Sequence, residues 1–248
     1  MRAQGECREY GTIVVIGGGC YGGYYVRQLA RASEAGALSW RRLLVVDRDA
    51  DCAVARRGGG AELVVSEWGG FLDRWLGDAA DDPTGAACDA IVPSPLMPHL
   101  ALDWLERRAR RRWGARAVER LALTTAPATP WERAGHDGTH YVSFATWTCP
   151  VNCIEPARCP HTRAERSWTM PAAAREYVSL RRAAREPLEG PFVFHCTHRA
   201  YGVGMLDVAD VLAADAAIAS RAAGGEAEFL VGTVSHCHGA LGRLRIGP

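Results

Sequence analysis

The run Gly17-Gly18-Gly19-Cys20-Tyr21-Gly22 limits what this chain can fold into more than any other feature, because it joins a strand pattern directly to a helix pattern. Thr12 to Ile16 (TIVVI) is a short β-branched run and reads as a buried parallel strand. After the glycines, apolar side chains at Tyr25, Val26, Leu29 and Ala30 recur at helical spacing from Tyr21 to about Ala35. Leu43 to Val46 (LLVV) reads as a second buried strand, closed by Asp47. A strand–loop–helix–strand unit of this kind crosses over with right-handed sense.

The loop matches G-x-G-x-x-G in the setting where that pattern carries chemistry. Gly17 permits a tight turn, Gly19 lets the backbone approach a pyrophosphate, and Gly22 allows close packing of helix on strand. The helix start adds N–H donors and a partial positive charge. Asp47 then stands where a carboxylate accepts hydrogen bonds from the ribose hydroxyls of an adenine nucleotide. The expected cofactor-binding set is Gly17, Gly18, Gly19, Cys20, Tyr21, Gly22, Asp47 and Arg48, with Pro93 and Ser94 from a neighbouring strand end. Asp47 favours NAD, whereas Arg48, Arg56 and Arg57 leave NADP open. The stretch VVIGGGCYGGYYVRQLA, followed by LLVVDRD, resembles the NAD-binding Rossmann domains of dehydrogenases and of TrkA-type potassium-uptake regulators. That resemblance implies a nucleotide and leaves the reaction open.

Further strands are expected at Glu62 to Ser66, Ala90 to Val92 and Leu121 to Thr125. A helix is expected from about Pro98 to Trp113, and Gly77 to Gly85 reads as a turn-rich loop. Beyond Pro127, Tyr141 to Trp147 alternates as a strand does, and Phe192 to His195 and Phe229 to Val234 are strand candidates flanking a helix from about Leu206 to Ala222. The expected fold is α/β: a Rossmann-like parallel sheet with helices on both faces, plus a C-terminal α/β portion with a Cys/His-rich loop. The expected division is 1–126 for the dinucleotide-binding domain and 127–248 for the C-terminal portion, which either stands apart or continues the same sheet.

Net charge is +1, so no strong overall field draws the chain to nucleic acid or to an acidic membrane. All 29 basic residues are arginine, which removes lysine chemistry such as Schiff-base formation. The basic run Arg107, Arg108, Arg110, Arg111 and Arg112 shares its segment with Asp103 and Glu106 and reads as a solvated helix face. No apolar stretch reaches the ~20 residues needed to span a bilayer. The opening Met1 to Glu6 has no apolar core of the kind a secretory leader carries. The expectation is a cytoplasmic protein whose cysteines are mostly reduced.

Five of the nine cysteines lie at or beyond Cys149. Cys149, Cys153 and Cys159 fall in one short loop with C-x3-C-x5-C spacing, and two of them precede proline. Proline stiffens the loop and removes donors, which helps to aim sulfurs at one point. The loop partly resembles bacterial ferredoxin loops, departing from their C-x2-C-x2-C spacing at both gaps. Cys196 and Cys237 are candidates for a fourth thiolate, and His161 is the local alternative. An iron–sulfur cluster, a zinc site and packed thiols without metal all remain open.

His195, His198, His236 and His238 lie in two short clusters beside those cysteines, and Tyr201 has Gly202 and Gly204 close by. Each is a candidate proton donor or acceptor near neutral pH, unranked by sequence. Taken together, these features suggest an NAD(P)-dependent oxidoreductase-like protein with a metal site, acting on a small molecule or a redox partner protein, with oligomers possible. The rival is a nucleotide-sensing regulator that binds NAD without turnover.

Overall fold

The computed structural model describes residues 9–147, 149–150 and 153–248. The opening segment, Cys7, and Val151 and Asn152 of the cysteine loop lie outside them. The chain forms two compact units, residues 1–94 with 198–212, and residues 95–197 with 213–248. The first unit therefore closes at Ser94, and a later segment returns to it.

The first unit holds one mixed sheet. Strands β1 (Glu9–Ile16), β2 (Ser39–Asp47), β3 (Glu62–Val65) and β4 (Ala90–Val92) run parallel in the order β3-β2-β1-β4. The cores of β1, β2 and β4 are Val, Ile, Leu and Ala with almost no exposed surface, as strands covered on both sides require, whereas β3 at the sheet edge is only partly buried. Helix α1 (Cys20–Glu34) buries Val26 and Leu29 in the same cluster as Ile13, Val15 and Val45. Each such fully buried side chain stabilises the fold by ~1.5–3 kcal/mol. The short helix α2 (Ala53–Arg57) follows β2, and α3 (Trp68–Asp81) follows β3. Strands β9 (Thr197–Ala200) and β10 (Val203–Asp207) complete the sheet, with β10 antiparallel to β4.

The second unit holds a separate mixed sheet in the order β6-β7-β12-β11-β8, with β5 also paired to β12. Its strands are β5 (Val118–Leu121), β6 (Trp131–Ala134), β7 (His140–Ser143), β8 (Leu188–His195), β11 (Ala227–Val234) and β12 (His238–Ile246). Only β8 and β11 pair in parallel. Helix α4 (Leu100–Arg112) packs on β11, β12 and β5, and α5 (Met170–Ala183) packs on β8 and β11. The Thr169 hydroxyl caps α5 by accepting the Ala172 N–H at 3.1 Å, a contact worth about 1 kcal/mol. Helix α6 (Val208–Ala222) links the returning segment to β11.

The fold is thus mixed α/β, as expected, with two mixed sheets where a Rossmann-like parallel sheet and a C-terminal α/β portion were expected. The reason lies in β10, which reaches β4 from the opposite direction. The strand expected at Leu121 to Thr125 begins earlier, as β5, and belongs to the second sheet. Gly77 to Asp81, expected in a loop, is the last turn of α3, held by burial of Leu76 and Ala79. The strand expected at Tyr141 to Trp147 ends at Ser143, where the Ser143 hydroxyl bonds both the N–H and the carbonyl of Ala145 and turns the chain. Among the described residues no helix is long and apolar enough to cross a membrane.

Candidate functional site

In the first unit the glycine loop is a compact turn between β1 and α1. Gly17 has φ +90, and its N–H donates to the Val46 carbonyl at 2.9 Å. A Cβ on Gly22 would lie 1.8 Å from the Gly17 carbonyl oxygen, so glycine alone lets α1 start this close to β1. Gly19, the N-cap, has no side-chain cap bond and open space around its Cα. Cys20 and Tyr21 at the helix start are exposed. Asp47 braces the loop: one carboxylate oxygen accepts the Gly18 N–H at 2.6 Å and the other the Asp49 N–H at 2.9 Å. Arg48 is exposed, whereas Ser94 is buried just past β4, whose Val92 pairs with Val15.

In the second unit the cysteine loop meets the turn between β11 and β12. Glu155, with φ +51, presents a carboxylate that accepts from the Ser235 hydroxyl at 2.7 Å and from the backbone N–H groups of His236 and Cys237 at 3.0 and 3.2 Å. The Cys153 N–H closes a turn on the Pro150 carbonyl, so Cys149 and Cys153 flank one bend. Trp147 and His161 stack at 4.3 Å and draw the two ends of the loop together. Cys196 sits at the same sheet end, its N–H donating to the Val234 carbonyl at 2.7 Å.

The thiols differ in chemistry. Donors from Thr162 and His161 in its own turn hold the Cys159 thiol below its usual range. Burial pushes Cys149 up, reinforced by Cys153 and Cys159 nearby. Burial and the Glu155 charge push Cys237 up to about 12. Cys149, Cys153, Cys159 and Cys237 are free thiols, as are Cys20 and Cys52, and Cys88 is disulfide-bonded. Among the described residues no three His, Cys, Asp or Glu side chains are arranged to hold one metal ion.

The proton-transfer candidates fall into two groups. His198 and Tyr201 belong to the β9–β10 hairpin of the first unit, where the His198 Nδ1 lies 2.9 Å from the Gly202 carbonyl. Tyr201 is exposed, has φ +48 and is overlain by the Arg31 guanidinium. His195, His236 and His238 all lie at the cysteine end of the second sheet, with His195 opposite Val234. The Ser143 hydroxyl is 2.8 Å from His238 Nδ1, and burial holds the His238 imidazole below its usual range. Beside them lies a cavity of about 460 Å³ walled by Phe144, Trp168, Tyr177 and Arg181. Trp168 stacks on Phe144 at 4.2 Å, and its ring centre is 6.3 Å from that of His236.

Sequence reasoning missed Glu155, Ser143 and Trp168. Glu155 carried one signal, its place inside the cysteine spacing. The others acquire their roles through contacts that no local pattern encodes.

One family model matches, described as "Uncharacterized protein, C-terminal domain" (AF_1314_C), over residues 101–247. No curated protein matches the chain, and no solved structure does. No dinucleotide-binding family is detected, so the kinship with Rossmann-domain dehydrogenases and TrkA-type regulators expected from the loop is corrected. The physical reason is that six residues making a tight strand-to-helix turn are a local solution that any α/β unit can reach. The match spans more than half of the chain, and the protein belongs to the AF_1314_C family.

Proposed function

We propose that the protein is a nucleotide-dependent redox enzyme that takes the pyrophosphate of NAD or NADP on the Gly17–Gly22 loop. The observation that carries this reading is the open, uncapped start of α1 at Gly19, held against β1 by Gly17 and Gly22. Backbone N–H groups at a helix start suit a phosphate. The parallel order β3-β2-β1-β4 supports this reading, with β1 and β4 flanking the point where that order reverses. Ligands of open α/β sheets bind at such a point, beyond the strand ends, where the loop and Pro93–Ser94 both lie. The Asp47 oxygens each hold one backbone donor and keep lone pairs for ribose hydroxyls. The reading rests on this geometry and not on kinship.

The second unit supports the enzyme reading over a sensor without turnover. Its cavity offers a small molecule an aromatic wall that includes Trp168, whose ring centre is 6.3 Å from that of His236. Titration of the full-length protein with NADH, NADPH and ADP, followed by fluorescence or calorimetry, tests the nucleotide. Saturable binding by a dinucleotide supports it. No binding of any of the three at ~1 mM, an affinity weaker than about 4 kcal/mol, overturns it.

A further inference from the structure

We propose that the cavity of the second unit binds a neutral aromatic molecule carrying a hydrogen-bond acceptor, of which an aryl carbonyl compound is the simplest member. This deepens the enzyme reading by naming the class of its small molecule, and rests on that reading only for calling the molecule a substrate. Binding itself stands without the nucleotide, because every residue lining the cavity belongs to the second unit.

The preference for a ring comes from the aromatic wall. Phe144 and Trp168 stack at 4.2 Å with their planes 17° apart, and both line the cavity. Each is only half-buried, so the pair keeps surface for a third ring. Stacking on such a pair adds to the apolar area that any ligand buries. Leu180, 63% exposed, extends the apolar lining. A volume of about 460 Å³ is ordinary for a small-molecule site.

The preference for an acceptor comes from Tyr177 and Arg181, one turn apart on α5. Tyr177 is only 5% exposed, and its hydroxyl is buried with no hydrogen-bond partner among the described residues. Leaving a buried hydroxyl unpaired is costly, and a ligand's acceptor supplies what it lacks. Arg181 is held in place from three sides. Its guanidinium lies 5.6 Å from the Tyr177 ring centre, its Nη2 donates to the Thr124 hydroxyl at 2.5 Å, and its Nε meets the Glu186 carboxylate at 3.0 Å. None of these contacts uses Nη1.

Charge decides which acceptor fits. Glu186 offsets the Arg181 charge, and Glu176 is a further carboxylate in the lining. The wall therefore has no surplus positive charge for a carboxylate ligand. An ammonium ligand would face the guanidinium and bring only donors to Tyr177 and Arg181. A carbonyl oxygen accepts from both and adds no charge.

The test is binding of acetophenone to the full-length protein without nucleotide, followed by ligand-observed NMR and tryptophan fluorescence. Three further probes each change one property: cyclohexyl methyl ketone lacks the aromatic face, benzoate adds a negative charge, and benzylammonium adds a positive one. Acetophenone is expected to saturate by ~10 mM and to bind at least about threefold more tightly than each of the others. Trp168→Leu is expected to weaken it by roughly 2–10-fold. Arg181→Met is expected to weaken it by roughly 3–10-fold. Tyr177→Phe keeps the ring and its packing, so affinity should fall while the melting temperature holds or rises; a merely structural hydroxyl would move the melting temperature alone. The ranking of the four probes needs no variant and stands even if one fails to fold. No saturation by acetophenone overturns the proposal, as does equal or tighter binding of any other probe. Full affinity in Trp168→Leu, or in Arg181→Met and Tyr177→Phe alike, also overturns it. Dinucleotide titration is a separate readout, so either reading can fail alone.

Discussion

Glu155 and Ser235, eighty residues apart in sequence, are joined by a hydrogen bond of 2.7 Å between hydroxyl and carboxylate. The same carboxylate takes the backbone N–H groups of His236 and Cys237, so one side chain fixes the turn that carries both.

Glu155→Ala leaves those donors without their acceptor. Charge-assisted hydrogen bonds contribute about 1.5–3 kcal/mol each, partly replaced by water at this half-buried position. The expected loss is about 2 kcal/mol. Urea denaturation of the variant checks this, and Glu155→Gln should recover part of the loss. Unchanged stability in Glu155→Ala would show that the turn stands by itself.

Gly22 and Gly19 give opposite outcomes in the glycine loop. Gly22→Ala puts a Cβ 1.8 Å from the Gly17 carbonyl oxygen, so strand and helix must part. A destabilisation at or above about 1–3 kcal/mol is expected, with loss of NADH binding. Gly19→Ala has room for its Cβ and costs about 1 kcal/mol or less as an N-cap change. Its methyl group still obstructs a phosphate at the helix start, so NADH affinity should fall while the fold persists. Full affinity in Gly19→Ala would place the nucleotide elsewhere.

Arg120 joins α4 to β5 as a buried cation between Asp103 and Glu106, whose side chains are only 19% and 13% exposed. Arg120→Met removes the partner and leaves two carboxylates poorly solvated. Breaking one side of such a network costs about 3–5 kcal/mol. A fall of that size in the free energy of unfolding, measured with denaturant, is expected. The double variant with Glu106→Gln should recover some of it.

Asp89 is buried, and that burial raises its carboxyl above the ordinary value of 3.8, although the Thr12 N–H and the Arg41 charge pull the other way. The folded chain then holds this proton more tightly than the unfolded chain does. Stability contributed by the neutral form is complete below 3.8 and is lost as pH rises through the folded value. Wild type should therefore lose stability relative to Asp89→Asn across that window and remain level above it. Parallel denaturation curves at several acidic pH values test this, and a constant difference between the two proteins would rule it out.

Much of the first unit was legible because its signals are local. Ala90 to Val92 forms a strand with the bounds its apolar run suggests, and the TIVVI and LLVV runs lie within β1 and β2. Helix α3 was hidden by Gly69, Gly70 and Gly77, and is held by packing of Phe71, Leu72 and Leu76 rather than by propensity. Strand β12 (HGALGRLRI) alternates glycine and arginine with its apolar residues, and exists through its pairings with β11, β7 and β5. At the candidate site, the sequence marked Cys149, Cys153, Cys159 and Cys237, but not that the Glu155 carboxylate would close on the backbone of the turn at Cys237.

The sequence alone determined what nearest neighbours can determine: β-branched runs as strands, a turn only glycine fits, and a helix that begins where the glycines end. Tertiary structure decided that β10 returns antiparallel to β4 and that Glu155 closes on the turn at Cys237. Backbone sterics act over a few residues and can be read in order along the chain. Strand pairing and buried hydrogen bonds join residues far apart in sequence, and which groups meet is set only when the whole chain has packed.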